Sequence, residues 1–293
     1  MADSLRVAVL GAGGTMGVPI ARNLARAGFP VSAWNRSREK AEPLADDGVQ
    51  ICDEPDGAAR DADVILTMLA DADAVLESVG RATREGTAAG AIWLQMSTIG
   101  ERGTERCSEL AGERNLVLVD APVLGTKAPA EKGELVILGS GPEQARDRVA
   151  PILDAIGQRT MWVGEAGAGS RLKLATNAWI LALVEGAAET LALAGGLGLD
   201  PQLVLDAISG GPLDLPYLRL KGAAMIERDF TPSFKLALAA KDAALVQDAA
   251  SQHELDLPLL RTIGQRLAEG AREHPDDDMS ATYLTSAPAR AAS

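Results

Sequence analysis

Lys173 and Asn177 stand at positions i and i+4 of one helical stretch, so they share a face. Leu172, Leu174 and Ala175 around them are apolar, and the pattern continues through Trp179 and Ile180. A lysine in that company either snorkels its ammonium to water or is partly desolvated. Desolvation lowers its pKa from the usual ~10.4, as a base working near neutrality requires. Asn177 could then orient the amine or hold a substrate. An ordinary surface pair on a long helix is the plain alternative, and spacing alone favours it. A second lysine, Lys241, has Phe234, Leu238 and Leu245 at i−7, i−3 and i+4, which puts it in an apolar stripe. Lysines are almost never fully buried unless paired. Lys241 therefore points into a cleft, meets Asp242 or a ligand, or buries only its stem.

A third constellation suits binding. Arg6-Val-Ala-Val-Leu10 reads as a strand, followed by Gly11-Ala12-Gly13-Gly14-Thr15-Met16-Gly17 and a helical pattern from Val18 to Ala27. Glycines between a first strand and a first helix permit a tight turn, close approach of a pyrophosphate to the backbone and close helix packing. The anion then rests on the helix N-terminus. Strict G-x-G-x-x-G spacing would place the third glycine at Met16. Either Gly11, Gly13 and Gly17 serve with one extra residue, or Ala12, Gly14 and Gly17 do. The second strand, Val31–Trp34, runs into Asn35-Arg36-Ser37 with no acid for a ribose 2′-hydroxyl. Arg36 can pair with a 2′-phosphate, and Asn35 or Ser37 can donate to it. NADP is therefore expected over NAD, with NAD possible.

Strands and helices must position these groups. Val64–Leu69, Ala91–Met96, Leu116–Val119 and Leu135–Leu138 are further strand candidates, and Ala72–Arg84 is a helical stretch. The alternation predicts βαβ units and a mostly parallel sheet. After Gly164, Gly167 and Gly169 the chain reads almost wholly helical, over Ser170–Ala194, Pro201–Ser209, Leu218–Arg228, Ser233–Ser251 and Pro258–Arg272. Asp276-Asp277-Asp278 reads as a solvated turn and Thr285–Ser293 as a frayed tail.

Composition narrows the function. The 293 residues suggest two domains, and a net charge of −13 argues against nucleic acid as the main partner. Hydrophobic residues at 47% exclude global disorder, and aromatics at 3% argue against a base-stacking platform. Cys52 and Cys107 form no CxxC and read as structural. With His253 and His274 the only histidines, no HExxH or histidine triad is available, and no metal site is expected. Nothing at Met1–Arg6 resembles an export signal. The longest unbroken apolar run of the second half, Ala178–Val184, falls far short of the ~20 residues of a membrane span. A soluble, cytoplasmic protein with no membrane partner is expected.

Five segments in order resemble the β-hydroxyacid dehydrogenase family, which includes 3-hydroxyisobutyrate dehydrogenase and the tartronate, glyoxylate and succinic semialdehyde reductases. Gly11–Leu24 looks like its G-x-G-x-M-G-x-x-M-A-x-N-L apart from one inserted residue. Met96-Ser97-Thr98-Ile99 is similar to its strand-end MSTI, and Asp120–Thr126 to its substrate motif D-A-P-V-S-G-G. Gly169–Asn177 matches the catalytic G-x-x-x-K-x-x-x-N, and Phe234–Asp242 looks like F-x-x-x-x-x-x-K-D. Ser280-Ala281 resembles the C-terminal signature. Leu124 replaces the motif's Ser, and Thr126 its second Gly.

The resemblance implies an α/β Rossmann domain over residues 1–164 and an all-α substrate and oligomerisation domain over 165–293, with the active site in the cleft between them. It implies hydride transfer between NADP(H) and a small, carboxylate-bearing β-hydroxy acid or its semialdehyde. Lys173 becomes the general acid/base, with Asn177 beside it. Val123, Leu124, Gly125 and Thr126 hold the substrate. Gly11, Gly13, Gly14, Thr15, Met16, Gly17, Asn35, Arg36, Ser37, Met68, Leu69, Thr98 and Lys241 hold the cofactor. The long helix Ser170–Ala194 is expected to pack against a partner subunit in a homodimer or homotetramer. An imine reductase of the same superfamily and a non-catalytic cofactor-binding scaffold are the rivals. Imine reductases usually carry Asp or Tyr at the place of Lys173.

Overall fold

Runs of buried aliphatic residues become the strands of the first half, and glycines release the chain between them. The computed structural model describes residues 5–84 and 90–287. Among these, β1 (Val7–Leu10), α1 (Gly17–Arg26), β2 (Val31–Trp34), β3 (Gln50–Cys52), α2 (Pro55–Ala59), β4 (Val64–Thr67), α3 (Ala72–Ala82), β5 (Ile92–Gln95), α4 (Gly100–Glu113) and β6 (Val117–Asp120) alternate. All six strands pair in parallel in the order β3-β2-β1-β4-β5-β6. This is the doubly wound dinucleotide-binding order, whose topological switch lies between β1 and β4. Strands β1, β4 and β5 are buried along their whole length. Buried parallel strands read as continuous apolar runs for that reason.

The chain continues through β7 (Val123–Leu124), α5 (Lys127–Lys132), β8 (Leu135–Gly139), α6 (Glu143–Ile156) and β9 (Gly157–Trp162). Leu135–Leu138 does not extend the parallel sheet. It pairs antiparallel with β7 and parallel with β9 in a second, three-stranded sheet. A bridge between Asp120 and Ser140 links the two sheets.

The remaining helices are α7 (Ala168–Gly196), α8 (Gln202–Ile208), α9 (Pro216–Glu227), α10 (Leu236–Gln252) and α11 (Pro258–Glu273), closed by a 3₁₀ segment at Met279–Thr285. The chain forms two compact units, residues 1–173 and 174–293. In the second, Leu181, Val184, Ala188 and Leu191 of α7 join Leu236, Ala239, Ile263 and Leu267 in one apolar core. Over its 29 residues α7 is long and apolar enough, by length and composition, to cross a membrane. That departs from the short run seen at Ala178–Val184, because alanines and leucines outweigh the interrupting polar residues. Two of those, Asn177 and Glu185, are buried with partners inside the helical unit, as in a core helix. Asn177 donates to Asp242, and Glu185 accepts from Arg266 and Thr282.

The acidic triplet corrects a sequence expectation. Asp276 is exposed and Asp277 half-buried, but Asp278 is 3% exposed and ion-paired to the equally buried Lys221 at 2.6 Å. Of the tail expected to fray, residues 288–293 lie outside the described residues.

Candidate active site

In-register pairing aligns the carboxyl ends of the strands in one row: Trp34, Leu10, Thr67, Gln95 and Asp120. Open α/β sheets bind ligands outside that edge. Here Thr67, Gln95 and Asp120 are all fully buried. They survive burial by hydrogen bonding, which a polar group in a dry core requires. Trp93 Nε1 donates to Thr67 Oγ1 at 3.0 Å, and Ser97 N donates to Gln95 Oε1 at 2.7 Å. Gln95 Nε2 donates to the Ser97 carbonyl at 2.8 Å. Leu69 N donates to Ser97 Oγ at 2.8 Å, which fixes the segment Met68-Leu69 as it leaves β4. Thr98 follows, half-buried. Sequence reasoning missed Thr67, Gln95 and Ser97, since a polar residue closing an apolar run looks like a mere strand end.

The glycine turn opens from the middle of this row. Gly11 has φ +93°, and a Cβ there would stand 2.2 Å from the Met68 carbonyl oxygen. At Gly17 a Cβ would come within 2.1 Å of the Gly11 oxygen, so α1 packs against the turn only because that side chain is missing. Gly13 leaves no room either, with Asn35 Cγ 2.7 Å from the ideal Cβ position. At Gly14 the nearest atom is 3.4 Å away, an ordinary contact. Gly11, Gly13 and Gly17 are thus the structurally obligatory three, with one residue inserted relative to the strict spacing. Gly14 and Thr15 are exposed at the opening of α1, whose first turn carries no acid. A dinucleotide's pyrophosphate fits such a turn, where backbone N–H groups and the helix dipole favour an anion.

Beyond β2 the Asn35 side chain ties the turn down. Its Oδ1 accepts from Gly13 N at 3.1 Å and its Nδ2 donates to the Ser37 carbonyl at 2.8 Å. Arg38 is committed to Asp53 at 2.7 Å and Glu42 at 3.5 Å. Arg36 is exposed and has no ion-pair partner among the described residues.

At the sheet edge next to β6, Val123 is buried and Leu124 half-buried in the pairing with Ile137 and Val136. Gly125 adopts φ +127°. Thr126 directly precedes α5. Lys127 lies 3.8 Å from Glu131, both exposed, as a solvated pair one helical turn apart. Lys173 is half-buried, two residues into the second turn of α7, and belongs to the same compact unit as the sheet and its glycine turn.

Asn177 and Lys241 belong to the helical unit. Asn177 is 3% exposed and its Nδ2 donates to Asp242 Oδ2 at 2.7 Å. Lys241 Nζ is 2.9 Å from the other carboxylate oxygen of Asp242. Asp242 therefore fixes the Asn177 amide with its oxygen turned away from the carboxylate. Of the openings left for Lys241 by the sequence, contact with Asp242 is the one seen here.

Burial pushes the Cys107 thiol up to about 12 and raises Cys52 as well. Neither is a thiolate near neutral pH, in keeping with structural roles. No cluster of three or more His, Cys, Asp or Glu suited to a metal occurs among the described residues.

Residues 6–164 match the family described as the NAD binding domain of 6-phosphogluconate dehydrogenase. Residues 167–285 match the one described as NAD-binding of NADP-dependent 3-hydroxyisobutyrate dehydrogenase. Glyoxylate/succinic semialdehyde reductase 2 of Arabidopsis thaliana, chloroplastic, is 31% identical over 231 residues, which cover 78% of this chain and 64% of that protein. The 2-hydroxy-3-oxopropionate reductase of Escherichia coli K12 is 32% identical over 235 residues, 78% of this chain and 79% of the other. A structure of Mycobacterium tuberculosis 3-hydroxyisobutyrate dehydrogenase with L-serine superposes with a TM-score of 0.87 at 28% identity, covering 96% of this chain and 99% of that one. With a Rossmann sheet in the observed strand order and both halves of the chain matched, this protein belongs to the β-hydroxyacid dehydrogenase family of NAD(P)-binding oxidoreductases.

Proposed function

We propose that this protein is an NADP(H)-dependent dehydrogenase of a small β-hydroxy acid, working reversibly with the matching semialdehyde. The observation that carries the reading is the placement of Lys173 and the glycine turn in one compact unit built on the same sheet. Residues 1–164 serve as the cofactor domain and 165–293 as the helical substrate and oligomerisation domain. A bound nicotinamide dinucleotide supplies the hydride donor and acceptor. Gly11, Gly13, Gly14, Thr15, Met16 and Gly17 hold its pyrophosphate, Met68, Leu69 and Thr98 line its path along the sheet edge, and Lys241 supports its nicotinamide end. Lys173 Nζ takes the hydroxyl proton of the alcohol during oxidation and returns it to the carbonyl oxygen during reduction. The Asn177 amide, fixed by Asp242, and the Val123–Thr126 backbone hold the carboxylate-bearing substrate. A turnover screen of 3-hydroxy acids and semialdehydes with NADPH/NADP⁺ beside NADH/NAD⁺ tests the reading. Absence of turnover with every pair would sink it.

The 2′-phosphate falls to Arg36, with Ser37 beside it. A charge-assisted hydrogen bond contributes about 1.5–3 kcal/mol, or roughly 10- to 100-fold in affinity. Arg36→Ala is therefore expected to weaken NADPH binding by about that factor while leaving NADH nearly untouched, as read by fluorescence titration of both. An equal loss for both cofactors would remove the assignment.

We further propose a soluble, cytoplasmic homodimer or homotetramer. On the helical unit Trp179 is 63% exposed, and Leu193, Leu197, Leu203 and Leu220 are also exposed. Exposed apolar side chains in this number mark contact surfaces in soluble proteins. Sedimentation equilibrium is expected to give at least twice the 30.4 kDa chain mass, and a monomer at micromolar concentration would contradict it.

A further inference from the structure

Asp120 is fully buried, yet no cation pairs with it among the described residues. Burial raises the pKa of its carboxyl, opposed by hydrogen bonds from Ser170 and Ser140. A carboxylate left dry is costly, so its donors show what it is for. Ser170 N donates to Oδ2 at 2.8 Å and Ser170 Oγ to Oδ1 at 2.7 Å. Ser140 Oγ reaches Oδ2 at 3.2 Å and the Asp120 carbonyl at 3.0 Å. That same Ser140 oxygen accepts from Gly169 N at 2.9 Å, and Thr104 Oγ1 lies 3.0 Å from Ser170 Oγ.

Gly169 and Ser170 are the second and third residues of α7, where backbone N–H groups have no partner within the helix. The ends of β6 and β8 supply those partners from outside. The approach is so close that a Cβ on Gly169 would stand 2.2 Å from the Leu138 oxygen and 3.0 Å from that of Asp120. Lys173 follows Ser170 by three residues and Gly169 by four, one turn further along the same face. The clamp thus sets where that amine stands.

We propose that Asp120 is a positioning residue for Lys173, acting through the first turn of α7. Sealed from solvent, it touches neither substrate nor cofactor. The inference rests on Lys173 as the proton-transfer group. A misplacement of about 1 Å at a reacting group costs up to ~10²-fold in rate.

The test measures NADPH oxidation by the full-length protein with the fastest semialdehyde of the panel. Asp120→Ala is expected to lower kcat about 10- to 100-fold, with the KM and NADPH affinity little changed. Asp120→Asn recovers most of that loss, because its carbonyl still accepts from Ser170 N and its amide can donate to Ser170 Oγ. In a Lys173→Met background, Asp120→Ala lowers the residual rate no further. A purely structural role would multiply the two losses. Should Asp120→Ala fail to fold, Ser140→Ala carries the comparison: it removes one acceptor and is expected to cost kcat about three- to tenfold, again only when Lys173 is present. Unchanged kcat in Asp120→Ala, no recovery in Asp120→Asn, or multiplied losses in the double variant would each overturn the inference. Undiminished turnover in Lys173→Met alone would instead overturn the reading of Lys173, independently of Asp120.

Discussion

Lys173→Met is expected to lower kcat by ~10²–10⁴, the usual share of general acid–base catalysis, while NADPH still binds. Methionine suits the test because it keeps an unbranched stem of similar length and is nearly as good a helix former as lysine. α7 should therefore stay in place, its first turn held by Ser140 and Asp120 and its later turns by the helical core around Leu181 and Val184. The loss can then be assigned to the amine. Lys173→Arg separates charge from proton transfer. Arginine keeps the positive charge but does not give up its proton in the working pH range. If Lys173 only attracted the substrate carboxylate, Arg would restore kcat. If it carries the proton, Arg stays nearly as slow as Met, and this second result is expected. Stopped-flow measurement of NADPH oxidation with saturating semialdehyde, beside a fluorescence titration of NADPH, gives both quantities. Turnover of Lys173→Met within a few-fold of the parent would remove the mechanism.

The parts that do this chemistry differ in how openly the sequence displays them. β1, the glycine turn and α1 were legible because the turn's chemistry is local: three positions reject a Cβ, and glycine alone meets that demand. Which three remained open until the neighbours were known, since Met68, Asn35 and Gly11 do the rejecting and two of them are distant in sequence. The helices of the second unit were legible from their Gly and Pro fences. β3, β7 and β9 were not. β7 has two residues, and β3 and β9 are edge strands carrying polar, partly exposed residues, so no apolar run announces them. The assignment of β8 to a second sheet depends on those partners. The Asp120 clamp was hidden for a similar reason. Its members Ser140 and Ser170 lie 20 and 50 residues away, and a small hydroxyl residue carries no sign of its partner.

Asp278 shows the same limit with a larger energetic consequence, because a run of three aspartates reads as solvated by composition. Burial pushes its carboxyl up, but the Lys221 ammonium and the N–H groups of Ser280 and Ser233 outweigh this and hold it at about 2, below the ordinary 3.8. Lys221 reaches it from α9, Ser233 from the segment before α10, and Ser280 from the closing 3₁₀ segment, so one carboxylate joins three parts of the helical unit. Removing one member of a buried pair strands the other charge and costs ~3–5 kcal/mol. Lys221→Met is accordingly expected to lower the melting temperature markedly; a shift under ~2 °C, less than about 1 kcal/mol for a domain of this size, would contradict the claim. The double variant Lys221→Met/Asp278→Asn should be no less stable than Lys221→Met, since removing the stranded charge outweighs the one backbone donor, Ser280 N–H or Ser233 N–H, that the single Asn oxygen leaves without its acceptor. The pH dependence follows in sign. A carboxyl with a folded pKa below its unfolded one stabilises the fold fully above ~4, and that contribution fades as pH falls towards 2. Unfolding of the parent between pH 5 and pH 2 should therefore become progressively easier through Asp278, whereas Asp278→Asn should lack that part of the acid sensitivity. Coincident acid unfolding profiles for the two proteins, with stability compared at each pH, would place the acid-labile contact elsewhere.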